Sequence, residues 1–378
     1  MSLPVIQLTG TPYEMGREQG RRLAGAISEN LRIYYDRFQR EAKLTVDEVR
    51  SRGRQYLAVM DGAAPPYAAM VRGVSDGSGI LLDDVAALNA RYEILYSQYS
   101  TINQTLAAQA AAGVPALEPD GCTAFAVLPE ASADGHLWLG QNWDWFPQVR
   151  GAILRMRQAD GMTIAAFTEA GIVGGKIGMN SAGLGLVING LLSNHDDWSR
   201  LRTPFHVRTW MILQQHTLAE AVALITDEPR SCSANFLMGK ANGEAEVVNI
   251  EAAPETTCRL LPAGGTFAHA NHFVDPAALG VWQPLAEEKT STYPRMARMT
   301  HMLEDGRASG RIDRTAMMAM LADHTGHPDS VCRHPNPHLP EEERVETVVS
   351  VLQDLTARRM YVAAGTPCVT PFIEITLD

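Results

Sequence analysis

The residue pair Gly121–Cys122 stands where two differently patterned parts of the chain meet. An Ala- and Pro-rich run, residues 107–119, comes before it, and the first strong β-strand pattern, residues 123–128, comes after it. A cysteine at the start of a strand and directly after a glycine is in an unusual place for an ordinary core thiol, which is the alternative interpretation. We therefore consider Cys122 as a candidate nucleophile.

A thiol that attacks a carbonyl needs a base within hydrogen-bond reach and donors for the oxyanion. Cys122 does not stand in the Cys-Gly-x-Cys-Trp context of papain-like proteases. Cleavage before Cys122 would supply a base instead, because the freed α-amine has an ordinary pKa of about 8. Gly121 suits such a scissile bond because it leaves its carbonyl open to attack and tolerates a strained backbone.

Two glycine-containing motifs do not support other chemistries. Gly183-Leu184-Gly185 lacks the third glycine of a dinucleotide loop, since Ile188 occupies that place. Met179 stands where a nucleophile elbow around Ser181 needs its first glycine. We interpret this region as turns and strands.

The segment 324–338 raises the alternative of a metal site. Its candidate ligands are His324, His327, Cys332, His334 and His338. Prolines at 328, 335, 337 and 340 predict an irregular surface loop, and the segment holds no helical H-E-x-x-H pair. We therefore predict no metal and no resident cofactor, and we rank a metal hydrolase below the thiol enzyme.

The aromatic residues Trp143, Trp145 and Phe146 fit two interpretations. They could form the wall of a substrate pocket, or they could belong to the packed core. We retain Trp143 and Trp145 as candidate substrate-binding residues.

Composition excludes several classes of protein. The formal net charge of −11 argues against a nucleic-acid partner, because phosphate contacts need a basic face. The five cysteines contain no C-x-x-C pair and so indicate no disulfide framework. The sequence has no apolar run of about 18 residues that could span a membrane, and residues 1–10 lack a signal-peptide pattern. We expect no membrane partner and a cytoplasmic location.

The chain before residue 121 is mostly helical in pattern. Apolar positions three or four residues apart predict a helix over 11–40. Thr45 and Glu48 form a capping-box pattern that starts another helix, and a further helix over 82–101 follows a turn-like segment, 75–79.

After Cys122 the pattern changes to short β-runs and hairpin turns such as Asn242-Gly243. Helical patterns interrupt these runs at 205–226, 293–304 and 312–322. Grouped hairpins with intervening helices indicate an α+β fold in layers rather than alternating βαβ units.

Seven different short motifs lie along nearly the whole chain. They are Gly10-Thr11-Pro12-Tyr13-Glu14-Met15-Gly16 with Gly20, Asp120-Gly121-Cys122-Thr123, Gly140-Gln141-Asn142-Trp143-Asp144, Thr168-Glu169-Ala170-Gly171-Ile172, Gly178-Met179-Asn180-Ser181-Ala182-Gly183, Asn271-His272 and Cys332-Arg333. In this order they resemble the acyl-coenzyme A:isopenicillin N (6-aminopenicillanic acid) acyltransferase family, a peptidase C45-like branch of the cysteine N-terminal nucleophile (Ntn) hydrolases. The resemblance implies a four-layer αββα sandwich.

The resemblance also implies roles for single residues. Cys122 would be the nucleophile, Asp144 would hold its freed α-amine, and Asn271 would donate its side-chain amide to the oxyanion. Arg333 would anchor the hydrogen-bond network or a substrate carboxylate, and Asn189 would contribute a further contact to the substrate.

The implied protein is a zymogen cleaved between Gly121 and Cys122. A mostly helical prosegment, residues 1–121, would stay packed on the catalytic core, residues 122–378. The enzyme would act on a small-molecule N-acyl amide through an acyl-thioester on Cys122. Acyl-CoA is an alternative acyl donor, bound as a substrate and not as a cofactor.

Two alternatives stay open. Bile-salt hydrolases and penicillin V acylases tend to carry Arg where this chain has Gln141, and their prosegments are very short or absent, so the long prosegment favours the acyltransferase branch. A strict hydrolase of the choloylglycine type is still an alternative. A processed protein with little turnover and a binding or scaffold role is the other.

Overall fold

The computed structural model describes residues 3–108, 121–283, 291–310 and 312–377. The first of these ranges forms one strand followed by helices. They are β1 (Val5–Leu8), α1 (Pro12–Arg40), α2 (Val46–Ala63), α3 (Pro65–Ser78), α4 (Leu82–Asn89) and α5 (Arg91–Ala108). The predicted capping box of Thr45 and Glu48 begins α2, so that prediction is confirmed.

The remaining described residues form strands and four α-helices. The strands are β2 (Gly121–Val127), β3 (Trp138–Trp145), β4 (Gly151–Arg157), β5 (Thr163–Glu169), β6 (Ile177–Asn180), β7 (Leu184–Gly190), β8 (Ala234–Ala241), β9 (Ala245–Ala252), β10 (Thr257–Leu260), β11 (Thr266–His269), β12 (Glu346–Asp354), β13 (Arg359–Ala363) and β14 (Ile373–Thr376). The helices are α6 (Phe205–Leu213), α7 (Leu218–Thr226), α8 (Thr292–Ala308) and α9 (Arg314–Leu321).

These strands build two sheets that face each other. One sheet has the order β1-β4-β5-β6-β7-β8-β9-β10, and the other has the order β11-β2-β3-β12-β13-β14. Strands β2 and β3 contact β7 across the interior. Helices α6 and α7 pack on the first sheet, and α8 and α9 pack on the second. The predicted α+β fold, an αββα sandwich, is therefore confirmed.

The residues of β2 show this layering. Cys122, Ala124 and Ala126 belong to the large core between the sheets. Phe125 and Val127 point to the other face and join a separate core beneath α8 and α9. Because neighbouring side chains of a strand alternate between faces, Cys122 lies on the inter-sheet side.

Three predictions of element bounds were wrong in detail. The helix predicted over 82–101 is two helices, α4 and α5. The turn-like segment 75–79 is the last turn of α3 and its cap, because α3 ends at Ser78 and Gly79 follows in a left-handed conformation. The single helix predicted over 205–226 is two helices, because Thr217 caps a new one through a box with Glu220.

The N-terminal part is joined to the core by main-chain pairing as well as by side chains. Strand β1 pairs in parallel with β4, with Val5 opposite Ile153. From α1, the Asn30 side-chain amide donates to the carbonyls of Arg150 and Ala170, at 2.9 and 3.0 Å. The larger sheet is therefore completed by a strand from the N-terminal part.

The glycines of the N-terminal motif serve the packing of α1 against α3. A Cβ atom on Gly16 would lie 2.1 Å from the carbonyl oxygen of Met70, and one on Gly20 would lie 2.4 Å from that of Val74. Since no side chain fits there, these positions allow the two helices to cross closely. Among the described helices, we find none with both the length and the apolar content needed to cross a membrane.

Candidate active site

Cys122 is buried in the middle of a sheet. Strand β2 begins at Gly121 and lies between β11 and β3, with Cys122 opposite Trp143. Only 1% of Cys122 is exposed. The described structure therefore places the candidate nucleophile at the second residue of an interior strand, on the inter-sheet face.

Side chains from three other elements bind the main chain of Cys122. Its N–H donates to Asn271 Oδ1 at 2.7 Å, just after β11. Its carbonyl accepts from Arg295 Nη1 of α8 at 2.6 Å and from Asn189 Nδ2 of β7 at 3.3 Å. Both main-chain polar groups of Cys122 are thus held by buried side chains.

The orientation of the Asn271 amide follows from its partners. Its Oδ1 also accepts from Arg295 Nη2 at 3.0 Å, and its Nδ2 donates to the carbonyl of Gly190 at 3.2 Å. In the uncleaved chain the oxygen therefore faces the nitrogen that cleavage would turn into an α-amine. The oxyanion role implied by the resemblance requires the other end of the amide, and it stays a prediction.

Arg295 is a site residue that the sequence analysis missed. It is 1% exposed, and its guanidinium also donates to Thr123 Oγ1 at 3.0 Å. A signal was present, because Arg295 shares the buried face of α8 with Met299 and Leu303, at spacings of four and eight residues. A charged residue within an apolar stripe of a helix points to a buried polar partner.

Asp144 and Arg333 meet at Gly121. Asp144 lies opposite Gly121 in the pairing of β2 with β3. Thr347 Oγ1 donates to Asp144 Oδ1 at 2.7 Å and accepts from the Arg333 N–H at 3.0 Å. A Cβ atom on Gly121 would lie 2.8 Å from both Asp144 Oδ2 and Arg333 Nη1. The two charged side chains thus occupy the space that any larger residue at 121 would need.

The residues around Cys122 connect to a polar network that extends through the larger sheet. Asn189 Oδ1 accepts from Asn235 Nδ2 at 3.0 Å and lies 3.2 Å from His269 Nδ1. The other ring nitrogen of His269 lies 2.8 Å from Glu251 Oε1. This network fixes the side chain of Asn189, and its contact to a substrate stays a prediction.

Trp143 and Trp145 lie in the core between the sheets. The Nζ atom of Lys176 is 3.3 Å from the ring centroid of Trp143. The indole N–H of Trp145 donates to the hydroxyl of Tyr34 at 2.8 Å. Both rings are thus covered by charged or polar groups of the core, and a substrate-binding role for them stays a prediction.

Gln141 of β3 links the two sheets. Its Oε1 accepts from the Ile188 N–H at 2.9 Å, and its Nε2 donates to the Ile188 carbonyl. This pair of hydrogen bonds joins β3 of one sheet to β7 of the other, next to Asn189. The residue therefore has a structural task in this chain.

The motif 168–172 forms a buried ionic cluster with the N-terminal helices. Glu169 binds Arg91 of α5 and Lys176 of the core, and the hydroxyl of Tyr34 of α1 donates to it. Burial by itself raises the pKa of the Glu169 carboxyl, but the two cations outweigh it and hold that pKa well below its usual range. The motif thus positions the N-terminal helices on the core.

The segment 324–338 is irregular, as its prolines predicted, and it brings three of its candidate ligands together. His324, Cys332 and His334 come together, and Cys368 from beyond β13 joins them. Cys368 could not be grouped with these residues from their spacing, because it lies in a different segment of the chain.

Comparisons with known proteins agree with the resemblance. The model of the acyl-coenzyme A:6-aminopenicillanic acid acyl-transferase family matches residues 131–368. This span contains Asp144, Asn189, Asn271 and Arg333, and it begins after Cys122.

Solved structures similar to this chain include three hydrolases. An N-acylethanolamine-hydrolyzing acid amidase ortholog from Caenorhabditis elegans is 14% identical, with a TM-score of 0.43, covering 62% of this chain and 93% of its own. Penicillin V acylase from Agrobacterium tumefaciens is 14% identical, with a TM-score of 0.45 and coverages of 68% and 86%. A mutant of conjugated bile acid hydrolase from Clostridium perfringens is 11% identical, with a TM-score of 0.45 and coverages of 68% and 92%.

Proposed function

The chain belongs to the acyl-coenzyme A:6-aminopenicillanic acid acyl-transferase family, and from this premise we propose that it is a self-processing enzyme with an N-terminal cysteine. The precursor would be cleaved between Gly121 and Cys122. The mature enzyme would cleave or transfer the acyl group of a small-molecule N-acyl amide, or of an acyl thioester donor such as acyl-CoA.

One observation carries this proposal. The nitrogen of Cys122 donates to Asn271. On the other side of the same peptide bond, the side chains of Asp144 and Arg333 lie against Gly121. Polar and charged groups thus surround one peptide bond inside a hydrophobic core. A structural cysteine would not need such surroundings.

The processing step would begin with attack of the Cys122 thiol on the Gly121 carbonyl carbon. The C–N bond breaks as the C–S bond forms, and the thiol proton passes to the leaving nitrogen. Water then hydrolyses the thioester, which releases the carboxylate of Gly121 and restores the thiol. The Arg333 guanidinium beside Gly121 would stabilise the negative charge that develops during attack.

Turnover would reuse the same groups. The freed α-amine of Cys122 would serve as the base, oriented by Asn271 Oδ1 and by Asp144. The acyl group of the substrate would pass to the thiol as a thioester and then to water or to an amine. Asn271 would donate to the oxyanion once its amide nitrogen exchanges the Gly190 carbonyl for the substrate.

The two fragments, residues 1–121 and 122–378, would remain associated after cleavage. The β1–β4 pairing and the buried Arg91–Glu169 contact join them. We therefore expect the fragments to separate only under denaturing conditions.

Intact-mass measurement of the purified protein tests the proposal. The wild type should give two masses that meet at the 121–122 bond, and Cys122→Ala should give one uncleaved mass and no activity. Cys258→Ala, a half-buried thiol in β10, is the matched control and should process normally. A single uncleaved mass in an active wild-type sample would refute the mechanism.

Substrate assays then separate hydrolysis from transfer. Release of a free amine from a panel of N-acyl amides, with and without an acyl-CoA donor, would report which acceptor takes the thioester. If the processed protein fails to react with a thiol-selective probe, the scaffold alternative would stand instead.

A further inference from the structure

Four side chains from two distant segments converge at the edge of the fold. They are His324, Cys332, His334 and Cys368, whose nitrogen and sulfur atoms all lie within 4.8 Å of one another. Cys332 is buried, His334 and Cys368 are half-buried, and His324 is exposed, so solvent ions can reach the group. Two imidazoles and two thiols form a common ligand set of structural zinc sites.

The distances are difficult to explain by hydrogen bonds. His334 Nε2 lies 3.6 Å from Cys332 Sγ, 3.5 Å from Cys368 Sγ and 3.1 Å from His324 Nε2. A ring nitrogen carries at most one proton, so at most one of these three contacts can be a hydrogen bond that it donates. Tetrahedral zinc, with bonds of about 2.0–2.3 Å, would place pairs of its ligand atoms about 3.3–3.8 Å apart. The three separations from His334 Nε2 are close to that range.

We propose that His324, Cys332, His334 and Cys368 bind one Zn²⁺ ion in a tetrahedral, structural site. This goes beyond the proposed function and does not depend on it. Thiolate with imidazole favours zinc over the hard cations Mg²⁺ and Ca²⁺, which prefer oxygen ligands. Binding would release the two thiol protons, because the thiolate is the ligand form.

The backbone around two of the ligands is already fixed. The N–H of Cys332 donates to the Asp323 carbonyl at 3.0 Å, and the N–H of His334 donates to the Pro328 carbonyl at 2.9 Å. The Ser330 hydroxyl donates to the carbonyl of Cys332 at 2.6 Å. The loop is rich in proline, and its backbone already has a defined conformation at these two ligands. Less conformational entropy is therefore lost when an ion binds.

The site would connect to the candidate active site through a single residue. Arg333 stands between two ligands, Cys332 and His334, and its guanidinium packs against Gly121. Four protein ligands leave no open position for substrate or water, so the ion would hold this segment and the Cys368 segment together. We expect it to position Arg333 and to take no part in the chemistry.

Metal analysis of the full-length protein tests this proposal. We expect about one zinc per chain in the wild type and in Cys258→Ser, and a loss of at least about tenfold in Cys368→Ser and His324→Gln. His324→Gln changes an exposed side chain, so a zinc loss there is not explained by misfolding. Cys122→Ala should keep its zinc, which separates this result from the proposed function.

Cobalt substitution adds a spectroscopic measurement. Reduced, metal-free protein titrated with Co²⁺ should show thiolate-to-cobalt charge-transfer bands and the strong visible absorption of tetrahedral cobalt. Both should be absent in Cys368→Ser and present in Cys258→Ser. The proposal is overturned if the reduced wild type binds neither ion, if Cys368→Ser gives the same spectrum, or if mass analysis of the purified protein shows Cys332 and Cys368 joined in a disulfide.

Discussion

Arg295 shows how a single buried side chain can hold the candidate nucleophile. Its guanidinium donates to the carbonyl of Cys122, to Thr123 Oγ1 and to Asn271 Oδ1. Hydrogen bonds from a charged donor are stronger than neutral ones, and the planar fork of arginine can reach several acceptors at once. Arg295 thereby fixes both Cys122 and the Asn271 oxygen that binds its nitrogen.

The variant Arg295→Lys is expected to slow self-cleavage by about 10- to 100-fold, because losing one charged hydrogen bond costs about 1.5–3 kcal/mol. A lysine keeps the charge but cannot reproduce the fork. The measurement is the time course of fragment formation after synthesis, followed by mass spectrometry.

Arg298→Lys is the matched control for this experiment. Arg298 lies one turn further along α8 and pairs with Asp323 near the surface, so we expect wild-type cleavage rates. Equal rates for Arg295→Lys and the wild type would remove Arg295 from the site.

The residues of the site differ in how well the sequence reveals them. Gly121, Asp144, Asn271 and Arg333 could be named from short motifs, and the structure brings all of them to one peptide bond. Arg295 could not be named in this way, because an arginine in a helix is usually exposed and only its burial shows otherwise.

At the scale of elements, the turn after β5 is where the N-terminal helices bind the core. Gly171 has a φ of +98°, and its carbonyl accepts from Asn89 Nδ2 at 2.8 Å. The carbonyl of Ile172 accepts from Gln19 Nε2, also at 2.8 Å. With Glu169 and Arg91 beside it, this short turn gathers contacts from α1, α4 and α5.

The variant Glu169→Gln should destabilise the fold by about 3–5 kcal/mol, because it leaves Arg91 and Lys176 buried with a weaker partner. The measurement is denaturant unfolding in the Cys122→Ala background, where the chain is expected to stay in one piece. Loss of a surface ion pair costs less than about 1 kcal/mol, so Glu255→Gln, which breaks the exposed pair with Arg200, serves as control. Similar shifts for both variants would contradict a special role for this turn.

The ends of elements were predicted where a local signal marks them. The capping box of Thr45 and Glu48 could be seen directly in the sequence. The break between α6 and α7 could not be seen in the same way, because Val207, Met211 and Leu218 keep a helical spacing on either side of the polar residues 214–217. There the capping box of Thr217 and Glu220 indicates the start of a new helix, and the periodicity does not.

At the scale of the whole molecule, the site depends on pairings between distant parts of the sequence. Strand β2 lies between β3 and the much later β11, and Asn271 follows directly after β11. Hydrophobic patterns indicate that a strand exists but do not say which strand it pairs with. The αββα layers were therefore predictable through the resemblance and not through pattern alone.

The pH dependence of stability should reflect Glu93, which joins α5 to the N-terminus of α6 by accepting from the Phe205 N–H. Burial raises the pKa of Glu93 from about 4.5 to about 7. A carboxyl whose pKa is raised by folding contributes stability that is full below about pH 4.5 and lost as the pH rises through 7. The free energy of unfolding should therefore fall by up to about 3 kcal/mol across this window.

Glu93→Gln removes this titration and keeps an acceptor for Phe205. Its stability relative to the wild type should increase between pH 5 and pH 8, as measured by denaturant midpoints at both pH values. Glu244→Gln, at an exposed position, should follow the wild type. An unchanged difference between Glu93→Gln and the wild type at the two pH values would show that Glu93 does not titrate there.

The parallel pairing of β1 with β4 has a consequence for synthesis of the chain. A ribosome makes residues 5–8 long before residues 151–157, so the first strand emerges without its partner. Its unpaired main-chain groups can be satisfied in the sheet only after the core strands have been made. The N-terminal part therefore cannot reach its final structure alone, and the last stage of its folding must wait for the part of the chain that it covers.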